Sequence, residues 1–375
     1  MASDLDPKDK LSPWQLTILL AAVGIGSQII LAPAQLIKHA GQGAWISVAL
    51  GAVAFFAATW LMLKLGEQFP DQNLVQYFPA VWGKLLGGIF LAWFVIIHLL
   101  QFITILHGFS RVIAFNLFFR TPEEAIAILF LFTCAYGAMQ DWGTIIRIQQ
   151  FIFFVVIPPL VALWLVALLN FSYDRLLPLL PDDPLTVLTG VPATWNFYSG
   201  YEVVLLIFPL IYRIGVKKAV AAGAAFGCMG VLFTTVTVLT IGVLSAKTAA
   251  DMIYPTLVVI KGIEIPGTFV ERLEVYMLIV WIPIVFDTMI ILFAVPARVL
   301  AQSTRYSDHR RWILFFIPVV SVLFVLLDPI NIATKTGEAL TTLGWGFSFL
   351  VAPLTLLAAK LKYPYRKRDT DADIS

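Results

Sequence analysis

Charge is scarce in this sequence. Aspartate, glutamate, lysine and arginine make up 13% of its 375 residues, whereas a soluble domain carries about 25%. This shortage excludes an ordinary soluble protein. Cysteine is scarce as well, since the chain has 2 cysteines, Cys134 and Cys228, and both fall inside apolar runs. We interpret them as buried apolar side chains and expect neither a disulfide framework nor a cysteine-based metal site.

Three kinds of chemical motif are also lacking. The sequence has no glycine-rich nucleotide loop, no cluster of metal ligands and no nucleophile triad placed for chemistry. We therefore predict that the chain is not an enzyme and needs no cofactor or metal ion. The net charge of +2 gives no indication of a nucleic-acid partner.

Long apolar runs dominate what is present. The sequence is 60% hydrophobic, and a run of about 20 apolar residues is enough to cross the hydrocarbon layer as a helix. Ten runs near or above that length lie at about 13–38, 44–65, 85–110, 123–140, 146–169, 195–212, 219–245, 270–298, 311–327 and 336–358. The sequence thus predicts an all-α polytopic membrane protein, with ten transmembrane helices in a single transmembrane domain over 1–375.

The basic residues predict how the chain is oriented. With ten spans both termini share one side, and 17 of the 25 basic residues fall on that side. They are Lys8, Lys10, Lys64, Lys84, Arg147, Arg213, Lys217, Lys218, Arg298, Arg305, Arg310, Arg311, Lys360, Lys362, Arg366, Lys367 and Arg368. Because cytoplasmic loops are rich in Lys and Arg, we expect both termini, including the tail 359–375, to be cytoplasmic. The polar start MASDLDPKDKLSPW lacks the features of a removable signal peptide, so the first span is expected to remain.

The first span contains its own interruption. The stretch AAVGIGSQIILAPAQL, 21–36, has Gly24 and Gly26 around Ile25, followed by Ser27 and then a proline. One interpretation is a helix-packing face with a proline kink. The other is an unwound midpoint, which is tolerated at membrane depth only where the freed backbone lines an enclosed cavity. A half-helix that begins there would direct the positive end of its dipole at an anion such as a carboxylate.

The sixth span has a matching interruption. In TWNFYSGYEVVLLIFPLIY, 194–212, the residues Ser199, Gly200, Tyr201 and Glu202 interrupt the apolar run, and a proline follows. Many transporters are inverted repeats in which corresponding helices of the two halves are broken at the binding site. The sequence therefore predicts two inverted five-helix repeats (LeuT-like), at about 13–169 and 195–358, with spans 1 and 6 discontinuous.

Glu202 is an ionisable residue inside a span. Such residues are costly in the membrane and usually face a cavity or a partner. Beside an unwound backbone the Glu202 carboxylate could bind an ammonium group or carry a proton. Alternatively, it could accept hydrogen bonds from freed backbone amides and so stabilise the break. The sequence leaves both possibilities open.

Four stretches, in this order along the chain, resemble one protein family. They are GQGAWISVALG (41–51), FPDQNLVQYFPAVWGKLLGGI (69–89), SGYEVVLLIFP followed by Lys217 and Lys218, and YPTLVVIKGIEIPGTFVERLEVYMLIVW (254–281). The set is similar to the spore germination permeases, the B subunits of Ger-type germinant receptors in the amino acid–polyamine–organocation superfamily. One departure is Gly43, where members of the family often have an acidic residue.

The resemblance implies both a fold and a function. The fold is the ten-helix arrangement of two inverted repeats. The function is that of a membrane subunit of a nutrient receptor in the spore inner membrane or cell membrane. This subunit would assemble with an A subunit and a lipoprotein C subunit. The germinant in such receptors is commonly an amino acid, bound here in a central cavity between spans 1, 3, 6 and 8.

Span 3 supplies two more candidate binding residues. At 100° per residue, Gln101, Thr104, Gly108 and Arg111 fall within a stripe of roughly 80°. In the fold that the resemblance implies, span 3 lines the central cavity, so Gln101 and Thr104 are candidate polar groups of the pocket. Interhelical hydrogen bonding without any ligand is the alternative, and we favour it.

Span 8 carries further acidic residues. Glu271 and Glu274 are expected near the outer surface, in a vestibule or paired with Arg272, and we favour a structural role for them. Asp287 lies near mid-span and about 160° around the helix from Glu271, so it needs another partner, and a cation or proton path is one possibility. The superfamily that the chain resembles uses a sodium ion or, in its place, a lysine on span 5. Span 5 here contains no lysine, so the sequence leaves proton or ion coupling open.

Three functions remain compatible with the sequence. The first is a receptor subunit that senses a germinant, which the family resemblance favours. The second is an amino-acid secondary transporter, which would share the broken spans 1 and 6. The third is a subunit that conducts water or ions, or only supports the receptor complex.

Overall fold

The computed structural model describes residues 11–26, 28–181, 183–211, 214–263, 272–304, 306–327 and 337–363. Over these residues the chain is helical throughout, apart from turns and short loops. In the first half the α-helices are α1 (Pro13–Ile25), α2 (Gln28–Ala40), α3 (Ala44–Gln68), α4 (Leu74–Asn116), α5 (Glu123–Ala138) and α6 (Trp142–Ala167). Short 3₁₀ turns join several of them, including Gly41–Gly43, Leu168–Asn170 and Tyr173–Leu176.

The second half contains the remaining helices. They are α7 (Leu185–Gly190), α8 (Trp195–Tyr198), α9 (Val204–Ile211), α10 (Lys217–Leu244), α11 (Ala246–Ala250), α12 (Pro255–Lys261), α13 (Leu273–Ser303), α14 (His309–Leu326), α15 (Gly337–Gly346) and α16 (Ala352–Lys362). A 3₁₀ turn, Tyr201–Val203, joins α8 to α9, and a π-helical stretch, Phe347–Val351, joins α15 to α16.

Seven helical stretches among the described residues are long and apolar enough to cross a membrane. They begin at Pro33, Leu74, Trp142, Lys217, Leu273, His309 and Gly337. The chain is therefore a multi-pass integral membrane protein. Two shorter apolar helices, Pro13–Ile25 and Tyr201–Ile211, fall below that length, as does α5 with 16 residues. The count of ten crossings depends on these shorter elements and stays a prediction.

Side-chain caps explain where several of the long helices begin. Ser12 and Gln15 form a capping box at the start of α1, in which the Ser12 hydroxyl accepts from the Gln15 amide and the Gln15 side chain accepts from the Ser12 amide. Asn73 and Gln76 form a similar box on α4. Asp141 accepts from the backbone of the first turn of α6 at 2.6 Å. Each cap satisfies amides that have no partner inside the helix.

Helix α4 is longer than the sequence predicts. We expected the third span at about 85–110, but helical structure starts at Leu74 and runs to Asn116. Gly83, with φ 81° and ψ 168°, is non-helical and separates the segment 74–82 from the span itself. This conformation favours glycine because a Cβ atom is strained at positive φ. The apolar run therefore identified the crossing but not the short helix that leads into it.

Helix α13 lies at the centre of the bundle. It packs against α1, α4, α5, α6 and α14, and every residue from Asp287 to Val299 is buried. A helix that is buried on all faces is surrounded by protein rather than by lipid. Any polar side chain on this part of α13 must consequently find its partners within the protein.

Arg298 is a buried cation on α13. Its side chain is 1% exposed, donates to the Ala138 carbonyl at 3.2 Å and to the Gln140 carbonyl, and lies over the Trp142 ring at 4.6 Å. These carbonyls close the C-terminal end of α5, where the helix dipole favours a positive charge. Arg298 thus links α13 to the connection between α5 and α6.

We expect Arg298→Met to lower the free energy of unfolding by about 2–3 kcal/mol, because the carbonyls lose a charged donor within the protein. Arg298→Lys should recover only part of this loss, since an ammonium group lacks the two-pronged geometry of guanidinium. Thermal unfolding of the detergent-purified protein measures both changes. Arg147→Met is the matched control, because Arg147 is exposed and its recorded hydrogen bond is to Thr144. Equal losses in the two methionine variants would contradict the role of Arg298.

Candidate functional site

The first helix of the bundle is interrupted at Gly26. Helix α1 ends at Ile25, Gly26 has φ −19° and ψ −104°, and α2 begins at Gln28. The break lies within the glycine-containing stretch that the sequence singles out. A Cβ atom on Gly26 would overlap the side chain of Thr288 on α13, so only glycine permits this close approach. Ser27 lies outside the described residues.

The second interruption separates α8 from α9. Gly200 has φ 100°, in the left-handed region, and follows Ser199 in an extended conformation. A non-glycine residue at such a φ costs about 1–2 kcal/mol. Tyr201 and Glu202 then form a short 3₁₀ turn before α9 begins. The polar residues in the sixth apolar run thus mark a change of backbone direction.

The two interruptions lie against each other. A Cβ atom on Gly200 would overlap Cγ1 of Val23, near the end of α1. On the same part of α1, Gly24 faces Met229 of α10, and a Cβ atom there would lie 3.6 Å from the Phe197 carbonyl of α8. Ile25 is fully buried between these contacts. The glycines therefore permit both close packing and unwinding, which the sequence presented as alternatives.

The Glu202 carboxylate is held by three donors. One oxygen accepts from the Gly200 amide at 2.9 Å. The other accepts from Nε1 of Trp195 at 3.1 Å and from the Ser348 hydroxyl at 3.4 Å. Glu202 is 3% exposed and forms no ion pair with any described residue. In this conformation the carboxylate stabilises the break by accepting hydrogen bonds, one of them from a backbone amide. This is the structural role that the sequence offered as the alternative to binding an ammonium group or a proton.

Span 3 contributes one of its two candidates to this site. The Gln101 side chain donates to the Ser199 hydroxyl and so joins α4 to the second interruption. Thr104 instead donates to the Leu100 carbonyl of its own helix at 2.8 Å. Gln101 thus makes an interhelical hydrogen bond, the alternative to ligand binding that the sequence offered. Thr104 makes no interhelical hydrogen bond with any described residue.

The sequence reasoning missed two residues of this cluster. The Tyr201 hydroxyl bonds Ser348 at 2.6 Å, and Ser348 in turn reaches Glu202. Ser348 lies in the π-helical stretch of the last crossing, a deviation that occurs often at functional sites. Trp195 supplies a donor from α8. A lone serine in the apolar run WGFSFLV was a detectable signal, but a tryptophan in a span is too common to indicate a partner.

Helix α13 contacts two carbonyls near the end of α1, beside the first interruption. The Thr288 hydroxyl lies 3.3 Å from the Ala22 carbonyl and 3.2 Å from the Val23 carbonyl. The Ala22 carbonyl also accepts from the Gly26 amide at 3.4 Å, and the last carbonyls of a helix generally need donors from outside it. Thr288 therefore satisfies backbone groups of α1 from a neighbouring helix, and the sequence reasoning had not singled it out.

The other acidic candidates of span 8 lie apart from this cluster. Glu274 pairs with Arg272 at 3.0 Å, one of the two roles expected for it, and Glu271 lies outside the described residues. Asp287 is 1% exposed and precedes Thr288, but its carboxylate makes no well-formed hydrogen bond with any described residue. Glu202 and Asp287 are thus on different elements and have different surroundings.

Two helix breaks, one buried carboxylate and several hydroxyl groups meet between spans 1, 3, 6, 8 and 10. In this conformation the polar groups bond mainly to one another or to the backbone at the two breaks. Among the described residues no three His, Cys, Asp or Glu side chains come close enough to hold a metal ion. The arrangement brings together a carboxylate, hydroxyl groups and backbone groups, which are the chemical groups that bond small polar solutes.

Comparison with known proteins gives consistent relatives. A family described as "Spore germination protein" matches residues 10–333. "Spore germination protein YndE" of Bacillus subtilis (strain 168) is 27% identical over 365 residues, which cover 96% of this chain and 98% of the relative.

Two solved structures share the fold. Mhp1, a nucleobase-cation-symport-1 family transporter in a closed conformation with bromovinylhydantoin bound, has a TM-score of 0.64 at 11% identity, covering 97% of this chain and 98% of that one. MhsT in complex with L-phenylalanine has a TM-score of 0.66 at 13% identity, covering 93% and 98%. At these identities the likeness is one of fold alone.

Proposed function

Because this chain belongs to the spore germination protein family, we propose that it is a membrane subunit of a nutrient germinant receptor. It binds a small germinant, an amino acid, in the region between spans 1, 3, 6 and 8. The observation that carries this proposal is the contact between two helix interruptions beside the buried carboxylate of Glu202. A soluble ligand that displaced the present partners would find the backbone of two helix ends and a carboxylate together.

An amino acid suits the two charges that this region offers. The N-terminal end of α2 carries the positive end of the helix dipole, which favours a carboxylate. The Glu202 carboxylate favours an ammonium group. Gly24, Ile25, Gly26 and Ser27 would contribute the first set of contacts. Gln101, Thr104, Ser199, Gly200, Tyr201 and Glu202 would contribute the second, after Trp195 and Ser348 release the carboxylate.

The rest of the assignment extends the family's architecture to this chain. The single domain comprises ten crossings in two inverted repeats, 13–169 and 195–358, with the termini and the tail 359–375 in the cytoplasm. The protein resides in the spore inner membrane or cell membrane and assembles with an A subunit and a lipoprotein C subunit. Glu202 and Asp287 lie on a path for an ion or proton that responds to germinant binding.

A second candidate function is secondary transport of amino acids. The fold likeness to Mhp1, a transporter, favours it. Both functions require a ligand at the two interruptions, but only transport requires the ligand to leave on the other side.

Binding and uptake separate the two candidates. We expect the purified full-length protein to bind at least one member of a panel of amino acids saturably and to bind sugars and nucleosides less tightly. Proteoliposomes that contain it should not accumulate the same labelled amino acid. Accumulation would support transport instead, and binding of none of the three classes would contradict both proposals.

A further inference from the structure

A buried carboxylate and a buried amide face each other at the contact between α6 and α13. Asp287 on α13 and Gln149 on α6 are each 1% exposed, and the Gln149 side chain is the polar neighbour of the Asp287 carboxylate. None of their four polar side-chain atoms makes a well-formed hydrogen bond with any described residue. Buried polar groups are nearly always paired, so two adjacent unpaired groups require an explanation.

Among the residues that the structure describes, no lysine or arginine forms an ion pair with the Asp287 carboxylate. The ion pairs of the described residues lie elsewhere, at Lys64–Glu67, Lys218–Glu67, Arg111–Glu123 and Arg272–Glu274. Arg298, on the same helix, lies about three turns farther along and donates to carbonyls at the end of α5. Helix α1, which also packs here, carries no charged residue.

An ionised carboxylate suits this position poorly. Burial of an unpaired charge costs several kcal/mol or more. An ionised Asp287 is also only an acceptor, so it could use the NH₂ group of Gln149 but would repel the Gln149 carbonyl oxygen. A protonated Asp287 removes both problems. Its O–H group can donate to the Gln149 carbonyl oxygen, while the Gln149 NH₂ group donates to the other oxygen of Asp287.

We propose that Asp287 and Gln149 form a proton-binding site at the contact between the fifth and eighth spans, separate from Glu202. One proton from water adds to a carboxylate oxygen of Asp287 and is returned to water when the site empties. The inference deepens the ion path of the proposed function and rests on it for its physiological role. Proton binding itself can be measured without any germinant.

The position of the site suggests what proton release would do. Deprotonation leaves a carboxylate that can accept from the Gln149 NH₂ group but is repelled by the Gln149 carbonyl oxygen. This favours movement of α6 relative to α13 or entry of water. Thr288, the next residue, bonds the carbonyls at the break in α1. A shift of α13 at Asp287 would therefore also move Thr288 and change its bonds to the backbone at the first helix interruption.

A sodium ion is the competing ligand. Hard cations usually take about six or more oxygen ligands, whereas these two side chains offer three oxygen atoms. The proton needs only the complementary pair. Sodium binding is therefore an outcome that the experiment must be able to detect.

Infrared spectroscopy of the purified full-length protein at neutral pH tests the proposal. We expect a carbonyl band of a protonated carboxylic acid that shifts in D₂O, persists in Glu202→Gln and is lost in Asp287→Asn. Asp287→Asn should unfold close to the wild-type temperature, because its amide pairs with Gln149 as the neutral acid does. Gln149→Met should keep the band but move it to higher frequency, because the acid loses its hydrogen-bonding partner.

Two results would overturn the proposal. One is a spectrum in which Asp287→Asn, or Gln149→Met if the first variant does not fold, leaves the carboxylic acid region unchanged. The other is a rise in wild-type thermal stability with sodium at constant ionic strength that is absent in Gln149→Met. A failure of germinant binding in the panel assay would leave both readouts unaffected, so the two proposals can fail independently.

Discussion

Replacement of Gly200 by alanine is expected to lower the free energy of unfolding by about 2–5 kcal/mol. Two physical effects add. Alanine at φ 100° costs about 1–2 kcal/mol because its Cβ atom approaches the backbone. The same Cβ atom overlaps Val23 of α1, and overpacking of this kind costs about 1–3 kcal/mol. Thermal or denaturant unfolding of the purified protein measures the loss.

A double-mutant cycle separates the two effects. Val23→Ala removes the Cγ1 atom that Gly200→Ala would strike, so the double variant should recover the overpacking part and keep the backbone strain. Gly227→Ala is the matched control, because Gly227 lies in the middle of α10 and a Cβ atom there meets nothing within 4 Å. That control should be neutral or stabilising by up to about 1 kcal/mol. Additive losses for Gly200→Ala and Val23→Ala would contradict the contact between the two interruptions.

Replacement of Glu202 by glutamine is expected to reduce germinant affinity at least tenfold, which corresponds to about 1.4 kcal/mol. Glutamine keeps the size of the side chain but removes the charge that an ammonium group would bind. It also presents an NH₂ group to the Gly200 amide or the Trp195 indole, both of which donate. We expect the unmatched donors to lower the free energy of unfolding as well, by about 1–3 kcal/mol.

Four measurements distinguish a binding role of Glu202 from a purely structural one. For Glu202→Gln we would record protein level and complex assembly in spores, the germinant affinity of the purified chain, and the nutrient response of the spores. Glu338→Gln is the control, because Glu338 is an exposed residue in the first turn of α15. Unchanged affinity in a less stable Glu202→Gln protein would assign Glu202 to the structure of the break alone.

The helical membrane architecture is readable from the sequence because hydrocarbon imposes it. Backbone groups in lipid must be paired within the chain, so long apolar runs can form little else than helices. The interruptions were also readable, since glycines beside polar residues at Gly26 and Gly200 combine low strain with freed backbone. These signals are local, and each is contained in a few consecutive residues.

The hydrogen-bond partners within the site could not be predicted from the sequence in the same way. Ser348 lies 146 residues from Glu202, and its hydroxyl could equally have bonded its own helix, as Thr104 does. Likewise, Gln149 and Asp287 become neighbours only because α6 packs on α13. Such pairings depend on the rotation of each helix about its axis, which an apolar run of nearly uniform composition does not specify.

The π-helical stretch Phe347–Val351 has a consequence for the last crossing as a whole. A π turn holds one residue more than an α turn, so it offsets the two parts of the crossing by about 100°. The first part, α15, packs on α4 and α8, while α16 packs chiefly on α3. Deletion of one residue here would bring the whole crossing back into phase, and one of these two faces would then turn towards the surrounding lipid.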